Sequence, residues 1–337
     1  MGIQSRSGNG ALSANPNIFN YYQSSDINIT THGSDWYWAV TAVMAASTIA
    51  FLATSLMVTR ERRIFHYITA AITLTASIAY FSMASNLGYT PIAVEFQRNN
   101  AKVAGFTREI FYVRYIDWFV TTPLLLLDLL LTAGVPWPTI LYTIFLDEVM
   151  IITGLVGALV ASSYKWGYFT FATVALVGIA YNVVFVGLKH SRALGSTVNR
   201  TFMVCGVWTI FLWFIYPIAW GLSEGGNVIS PDSEAVFYGI LDILAKPIFG
   251  ILLLVGHRNI DPATLGLYIR DYQTAPTNRN HAHGRHLGSE HNALDAEKDG
   301  LPAHNNNGVF HNSGSDAVAT GGITGTHANH SAVGQTV

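Results

Sequence analysis

Seven runs of about twenty mostly apolar residues fill the stretch between residues 35 and 258, and no other feature of the sequence restricts the fold so strongly. Hydrocarbon offers no partner to a backbone N–H or C=O, so a run of that length crosses a bilayer as a helix that satisfies its own backbone. The runs lie near 35–58, 66–87, 109–133, 137–161, 168–189, 200–222 and 234–256. Short polar breaks separate them, among them "TRERRIFH", "AGVPWP", "SSYKWG" and "KHSRALGSTVNR". Charged residues make up only 11% of the chain, against about 25% in an average soluble domain. The expected class is therefore an all-α membrane protein, a bundle of seven transmembrane helices.

Orientation follows from lysines and arginines in the short connections. With the N-terminus outside, the cytoplasmic connections hold seven (Arg60, Arg62, Arg63, Lys189, Arg192, Arg200, Arg258) and the outer ones four (Arg98, Lys102, Arg108, Lys165). The excess favours N-outside and C-cytoplasmic, and "WYW" at 36–38 then reads as an aromatic belt at the outer interface. Residues 1–33 are polar and lack the apolar core of a signal peptide, so the first span is expected to start translocation itself. Asn28-Ile29-Thr30 is a glycosylation triplet on that outer side. A net charge of −2 without a basic patch gives no nucleic-acid partner. The single cysteine, Cys205, excludes an internal disulfide. "DPATLGLYIRDYQ" reads as a short surface helix, and from about 274 onward an Asn-, His-, Gly- and Ser-rich tail reads as disordered. "HAHGRH" at 281–286 is read as part of that solvated tail rather than as a metal site.

Against this apolar background a few charges stand out. "RYIDWFVTTPLLLLDLLL" (114–131) places Arg114, Asp117 and Asp128 inside the third span, where each charge costs roughly 2.5–3.5 kcal/mol at the bilayer centre. At 100° per residue Arg114, Asp117 and Thr121 share a face. Asp128 returns to within about 20° of Asp117, about 16 Å along the axis. Two carboxylates in file along one face suit stations on a proton path. In "LDILAKPIFG" of the last span, Asp242 and Lys246 lie one turn apart. Alone they suit a structural ion pair. A buried lysine also loses its proton readily, and its free amine condenses with an aldehyde. In "WFIYPIAWGLSEGG" Trp213, Tyr216 and Trp220 form an aromatic stripe, with Pro217 expected to kink the helix. The stripe suits either ordinary packing or one wall of a slot for a flat apolar ligand, with Trp118 opposite.

Taken together, "RYIDWFVTTPLLLLD", "LDILAKPIFG" and "WFIYPIAWGLSEG" resemble the microbial (type 1) rhodopsins, most closely their fungal proton-pumping members, across residues 35–258. The resemblance implies a seven-helix retinal-binding domain over 34–258, flanked by an outer segment 1–33 and a cytoplasmic tail 259–337. It implies all-trans retinal bound covalently to Lys246 as a protonated Schiff base. By the same resemblance Asp117 is the proton acceptor and counter-ion, Asp242 the second counter-ion and Asp128 the proton donor. Thr121 is paired with the acceptor and Thr69 with the donor. Glu224 and Glu234 form the outer release pair, with Arg114 moving between them and the lysine. Tyr80, Tyr115, Trp118, Thr122, Leu125, Met150, Gly154, Trp213, Tyr216, Pro217 and Trp220 match pocket positions. Phe169 stands where a tryptophan is frequent, and Asp147 matches a frequent helix-four aspartate.

The function so implied is a light-driven outward proton pump, a transporter rather than an enzyme, with protons as cargo, the lipid bilayer as surroundings and the plasma membrane as location. Homo-oligomers occur among such proteins, though no residue here demands one. The alternative within the family is a sensory photoreceptor, which commonly lacks the carboxylate at Asp128. A chloride pump would lack the one at Asp117, and a channel fits poorly with apolar half-paths. Outside photochemistry, a chaperone-like relative would lack Lys246. A G-protein-type receptor would usually carry an outer disulfide.

Overall fold

The computed structural model describes residue 10, residues 25–94 and residues 99–267. Seven helices in it are long and apolar enough to cross a membrane. We number them α1 Thr31–Ser55, α2 Ile64–Ala84, α3 Tyr112–Thr132, α4 Trp137–Leu159, α5 Lys165–Ala193, α6 Ser196–Gly225 and α7 Pro231–His257. The expected spans fall on these helices, with ends displaced by a few residues because capping, not hydropathy, sets where a helix starts. Thr30 caps α1 by accepting the His32 N–H, and Ser230 caps α7 by accepting the Ser233 N–H.

α3 is the most enclosed helix, burying Arg114, Asp117, Thr121, Leu125, Asp128 and Thr132 along its length. Elsewhere large apolar side chains face outward, such as Ile49, Leu141, Phe185, Val207 and Phe211, each exposed by more than 60%. Such exposure would be costly in water but suits a lipid-facing surface, and this is an integral membrane protein.

Three helices contain wider π turns, at Asn182–Gly187, Gly221–Gly225 and Leu244–Ile248. The last of these encloses Lys246 and Pro247. Proline has no N–H to donate, so the regular ladder is interrupted there and one extra residue is taken into the turn. Pro217 lies within α6, one turn before its π segment.

The α2–α3 connection, read from the sequence only as a polar break, contains a hairpin. Strand β1 (Thr90–Ala93) pairs antiparallel with β2 (Thr107–Ile110), with Ile92 opposite Arg108 and Pro91 opposite Glu109. The chain before α1 lies along β2: the Ile27 N–H donates to Thr107 O and the Glu109 N–H to Ile27 O. The strands are four residues long, too short for a period-two signal. Of the stretch read as a surface helix, Pro262–Leu265 forms a single 3-10 turn. The tail after 267, with "HAHGRH", lies outside the described residues.

Candidate functional site

α3 and α7 bring three charges together at the centre of the bundle. Lys246 Nζ lies 2.9 Å from Asp117 Oδ2 and 2.8 Å from Asp242 Oδ1. All three residues are 2% exposed or less. Tyr80 and Tyr216 each donate a hydroxyl to Asp242 at 2.6 Å. Two carboxylates around one ammonium leave a net negative charge in a buried site, and the two phenols disperse it. Tyr80, expected along the ligand pocket, is absent from the cavity lining and gives its hydroxyl to Asp242. Thr121 donates to the Asp117 main-chain carbonyl at 2.8 Å rather than to the carboxylate. A hydroxyl four residues on reaches the i−4 carbonyl of its own helix first.

An apolar cavity opens beside Lys246. Its lining includes every expected pocket residue except Tyr80: Tyr115, Trp118, Thr122, Leu125, Met150, Gly154, Phe169, Trp213, Tyr216, Pro217 and Trp220. The aromatic stripe of α6 therefore faces a cavity and not merely a neighbouring helix. Trp118 meets Tyr216 edge-on at 5.4 Å, and Phe169 stacks on Trp220 at 5.1 Å. An apolar cavity with aromatic walls and a lysine amine among its lining suits a polyene aldehyde such as retinal, whose chain needs aromatic walls and whose aldehyde needs an amine. Thr122, on the same wall, donates to Asp147 Oδ2 at 2.7 Å and ties α3 to α4.

At the end of the bundle that carries the hairpin, Arg114 lies between two carboxylates. Its Nη1 is 2.6 Å from Glu234 Oε1 and 3.3 Å from Glu224 Oε1. Its Nη2 donates to Tyr37 Oη at 2.9 Å, and its guanidinium sits 4.2 Å over the Tyr238 ring. Glu224 and Glu234, expected as a pair, are thus bridged by an arginine. Glu224 accepts hydroxyls from Tyr115, Tyr238 and Ser223. Glu234 accepts a second guanidinium, with Arg108 Nη2 at 2.7 Å. Lys165 Nζ donates to the Glu224 carbonyl at 2.6 Å and fixes the α6 π turn. Arg108 and Lys165 had been read only as loop charges, since hydropathy cannot tell that a hairpin folds back over the bundle.

Next to Arg108, Glu109 is 1% exposed and accepts the Ile29 N–H at 2.9 Å. Burial, with some help from nearby Glu234 and Asp232, pushes its carboxyl up to about 8. The Arg108 guanidinium is already engaged by Glu234 and by Ile229 O, 2.7 Å away.

Toward the opposite end, Asp128 is fully buried, and neither of its carboxyl oxygens has a hydrogen-bond partner. Thr69, expected as its partner, donates instead to Phe65 O and His66 O at 2.8 and 3.1 Å.

The family described as bacteriorhodopsin-like protein matches residues 31–260. The opsin-like protein carO of Fusarium fujikuroi is 67% identical over 263 residues, covering 78% of this chain and 85% of that protein. The light-driven proton pump LR (Mac) from Leptosphaeria maculans superposes with a TM-score of 0.64 at 38% identity, over 69% of this chain and all of that one. The light-driven proton pump of Coccomyxa subellipsoidea gives a TM-score of 0.65 at 38% identity, over 68% of this chain and 99% of that one. The matched residues take in all seven helices, the lysine between its two carboxylates and the aromatic cavity, and the chain belongs to the bacteriorhodopsin-like family.

Proposed function

We propose that this protein is a light-driven outward proton pump that carries retinal on Lys246. Family membership implies a retinal chromophore, and similar solved structures are light-driven proton pumps. The observation that carries the reading is the pair of differently housed carboxylates on α3. Asp117 contacts the lysine nitrogen, whereas Asp128, three turns away, has no polar partner. Two carboxyl groups housed so differently on one helix suit the separate roles of acceptor and donor.

Retinal bound at Lys246 would supply light absorption and isomerisation. The residues around it do the rest. Asp117 Oδ2, 2.9 Å away, takes the proton from the Lys246 nitrogen. Asp242 stays charged under its two phenols and preserves the electrostatic balance. Once Asp117 is neutral, Arg114 is held less toward the bundle centre and more by Glu224 and Glu234, and a proton leaves that end. Asp128 then returns a proton to the Lys246 nitrogen and recovers its own from the other side. Each turn moves one proton outward, against about 2.3 kcal/mol per 100 mV of membrane potential. Outward transport takes the hairpin end as the outer face, in the plasma membrane, in line with the lysine and arginine count.

The experiment is light-induced pH change in a suspension of cells expressing the chain with retinal. Protonophore-sensitive acidification, lost in Lys246→Ala and Asp117→Asn, is the expected result. A coloured pigment without a pH change would replace this reading with that of a sensory photoreceptor.

A further inference from the structure

The end of the bundle opposite the hairpin holds a second cavity, a groove between the end of α1, the start of α2 and the end of α7, which neither the Lys246 site nor the Arg114 cluster uses. Its floor is apolar: Phe51, Phe65 and Ile260 are each 5% exposed or less. Its side is apolar too, but open. Met57, Ile251 and Val255 line it while being 84%, 50% and 52% exposed. Ile251 lies six residues before the end of α7, about 9 Å along the axis. At that depth a bilayer presents acyl chains, so the groove opens toward lipid and not only toward water.

The rim has the opposite character. Arg62 and Arg258 belong to the same lining. Arg62 Nη1 donates to Arg258 O at 3.0 Å, which ties the start of α2 to the end of α7 and keeps the two arginines together. Among the described residues neither of them is in an ion pair. Arg60 and Arg63 flank Arg62 in the same turn, and Arg63 Nε donates to Val58 O at 3.2 Å. The acidic neighbours in sequence are Glu61 and Asp261, and Asp261 is occupied in accepting the Ala263 N–H at 3.1 Å. Four guanidiniums against two carboxylates leave this rim cationic. Long arginine side chains at the end of a span reach the headgroup level while their stems stay along apolar surface.

An apolar groove open to acyl chains and ending under a cationic rim matches both halves of one kind of ligand. A zwitterionic lipid offers the chain without the net charge, and a soluble anion offers the charge without the chain. Basic pockets between transmembrane helices hold acidic headgroups. We propose that this groove binds an anionic glycerophospholipid of the leaflet at that end, with its phosphate at Arg62 and Arg258 and one acyl chain along Phe51, Ile251 and Val255. Bound there, the lipid neutralises two guanidiniums to which the described residues give no carboxylate partner, and it bridges the α1–α2 connection to the end of α7. Binding of this kind does not depend on proton transport, so it stands whether or not the protein pumps.

The test is photocrosslinking of the full-length pigment in phosphatidylcholine vesicles that contain a small fraction of phosphatidylglycerol with a photoactivatable group in its acyl chain. Labelled peptides are mapped by mass spectrometry, and the same group on phosphatidylcholine is the reference. The phosphatidylglycerol probe should label residues 50–58 and 251–262 well above the reference, whereas on the rest of the lipid-facing surface the two probes should label alike. Arg62→Gln and Arg258→Gln should each lower that excess roughly fivefold, with the visible absorption of the folded pigment unchanged. Excess inorganic phosphate should leave the labelling as it is. Equal labelling by the two probes, or an excess that survives both arginine substitutions, overturns the proposal. Displacement by inorganic phosphate overturns it as well, since the site would then take an anion without a chain. So does a groove that takes no label, which would mean that the tail or a second copy of the chain covers it.

Discussion

Replacing Glu109 by glutamine should change stability in a way set by pH. The carboxyl is buried, accepts one backbone N–H, and sits beside an arginine whose guanidinium is taken by Glu234. Its titration in the folded protein lies at about 8 instead of the ordinary 4.5. A raised carboxyl holds its proton more tightly in the folded chain than in the unfolded one. Its favourable contribution is therefore complete below about pH 4.5 and is lost as the pH rises toward and through 8. At 1.36 kcal/mol per pH unit, the loss over that interval is at most about 5 kcal/mol. Glu109→Gln cannot ionise, so it escapes this loss. Thermal denaturation of the pigment, followed by visible absorbance, should give similar midpoints for both proteins near pH 5. Near pH 9 the variant should melt several degrees higher, since 1 kcal/mol corresponds to about 2–4 °C in a domain of this size. A gap between the two that does not change from pH 5 to pH 9 would refute the reasoning, because it would mean that Glu109 ionises in the folded protein as it does in water.

Substitutions at three further positions probe other parts of the account. Arg108→Ala removes one of the two cations on Glu234; breaking a buried pair costs about 3–5 kcal/mol, so the denaturation midpoint should fall well below wild type, whereas Arg108→Lys should recover part of it. Asp128→Asn should leave colour and the first proton transfer intact while slowing recovery of the ground state by roughly 100-fold or more, read by flash absorbance. Gly239 packs against the Trp36 indole, which donates to Ala235 O at 3.0 Å; Gly239→Leu should cost about 1–3 kcal/mol through overpacking, with a matching drop in the denaturation midpoint.

Much of this architecture was legible in the residues because lipid is a strict solvent. Seven apolar runs had to become seven helices, and charges placed inside them had to face one another. Asp117, Asp242 and Lys246 meet for that reason, and the helical spacing of Trp213, Tyr216 and Trp220 put one face of α6 toward a common cavity. What the spacing could not supply was contact between elements distant in sequence. Arg108 reaches Glu234 across 126 positions, through a hairpin whose strands are too short to show a pattern. Hydroxyl partners were not legible either. Thr69 and Thr121 bond to carbonyls of their own helices, the ordinary choice of a helical threonine, and Tyr80 turns to Asp242. Nothing in the periodicity distinguishes these outcomes from the expected ones.

The central claim is that one proton enters at the Asp128 end and one leaves at the hairpin end for each photon used. The most direct measurement is a single-turnover flash experiment on pigment reconstituted in vesicles of known orientation, with a pH-sensitive dye on each side. The account predicts one proton appearing on the hairpin side and one disappearing from the opposite side within a single cycle, both abolished in Asp117→Asn. A complete optical cycle in which neither dye responds, or in which release and uptake occur on the same side, would contradict it.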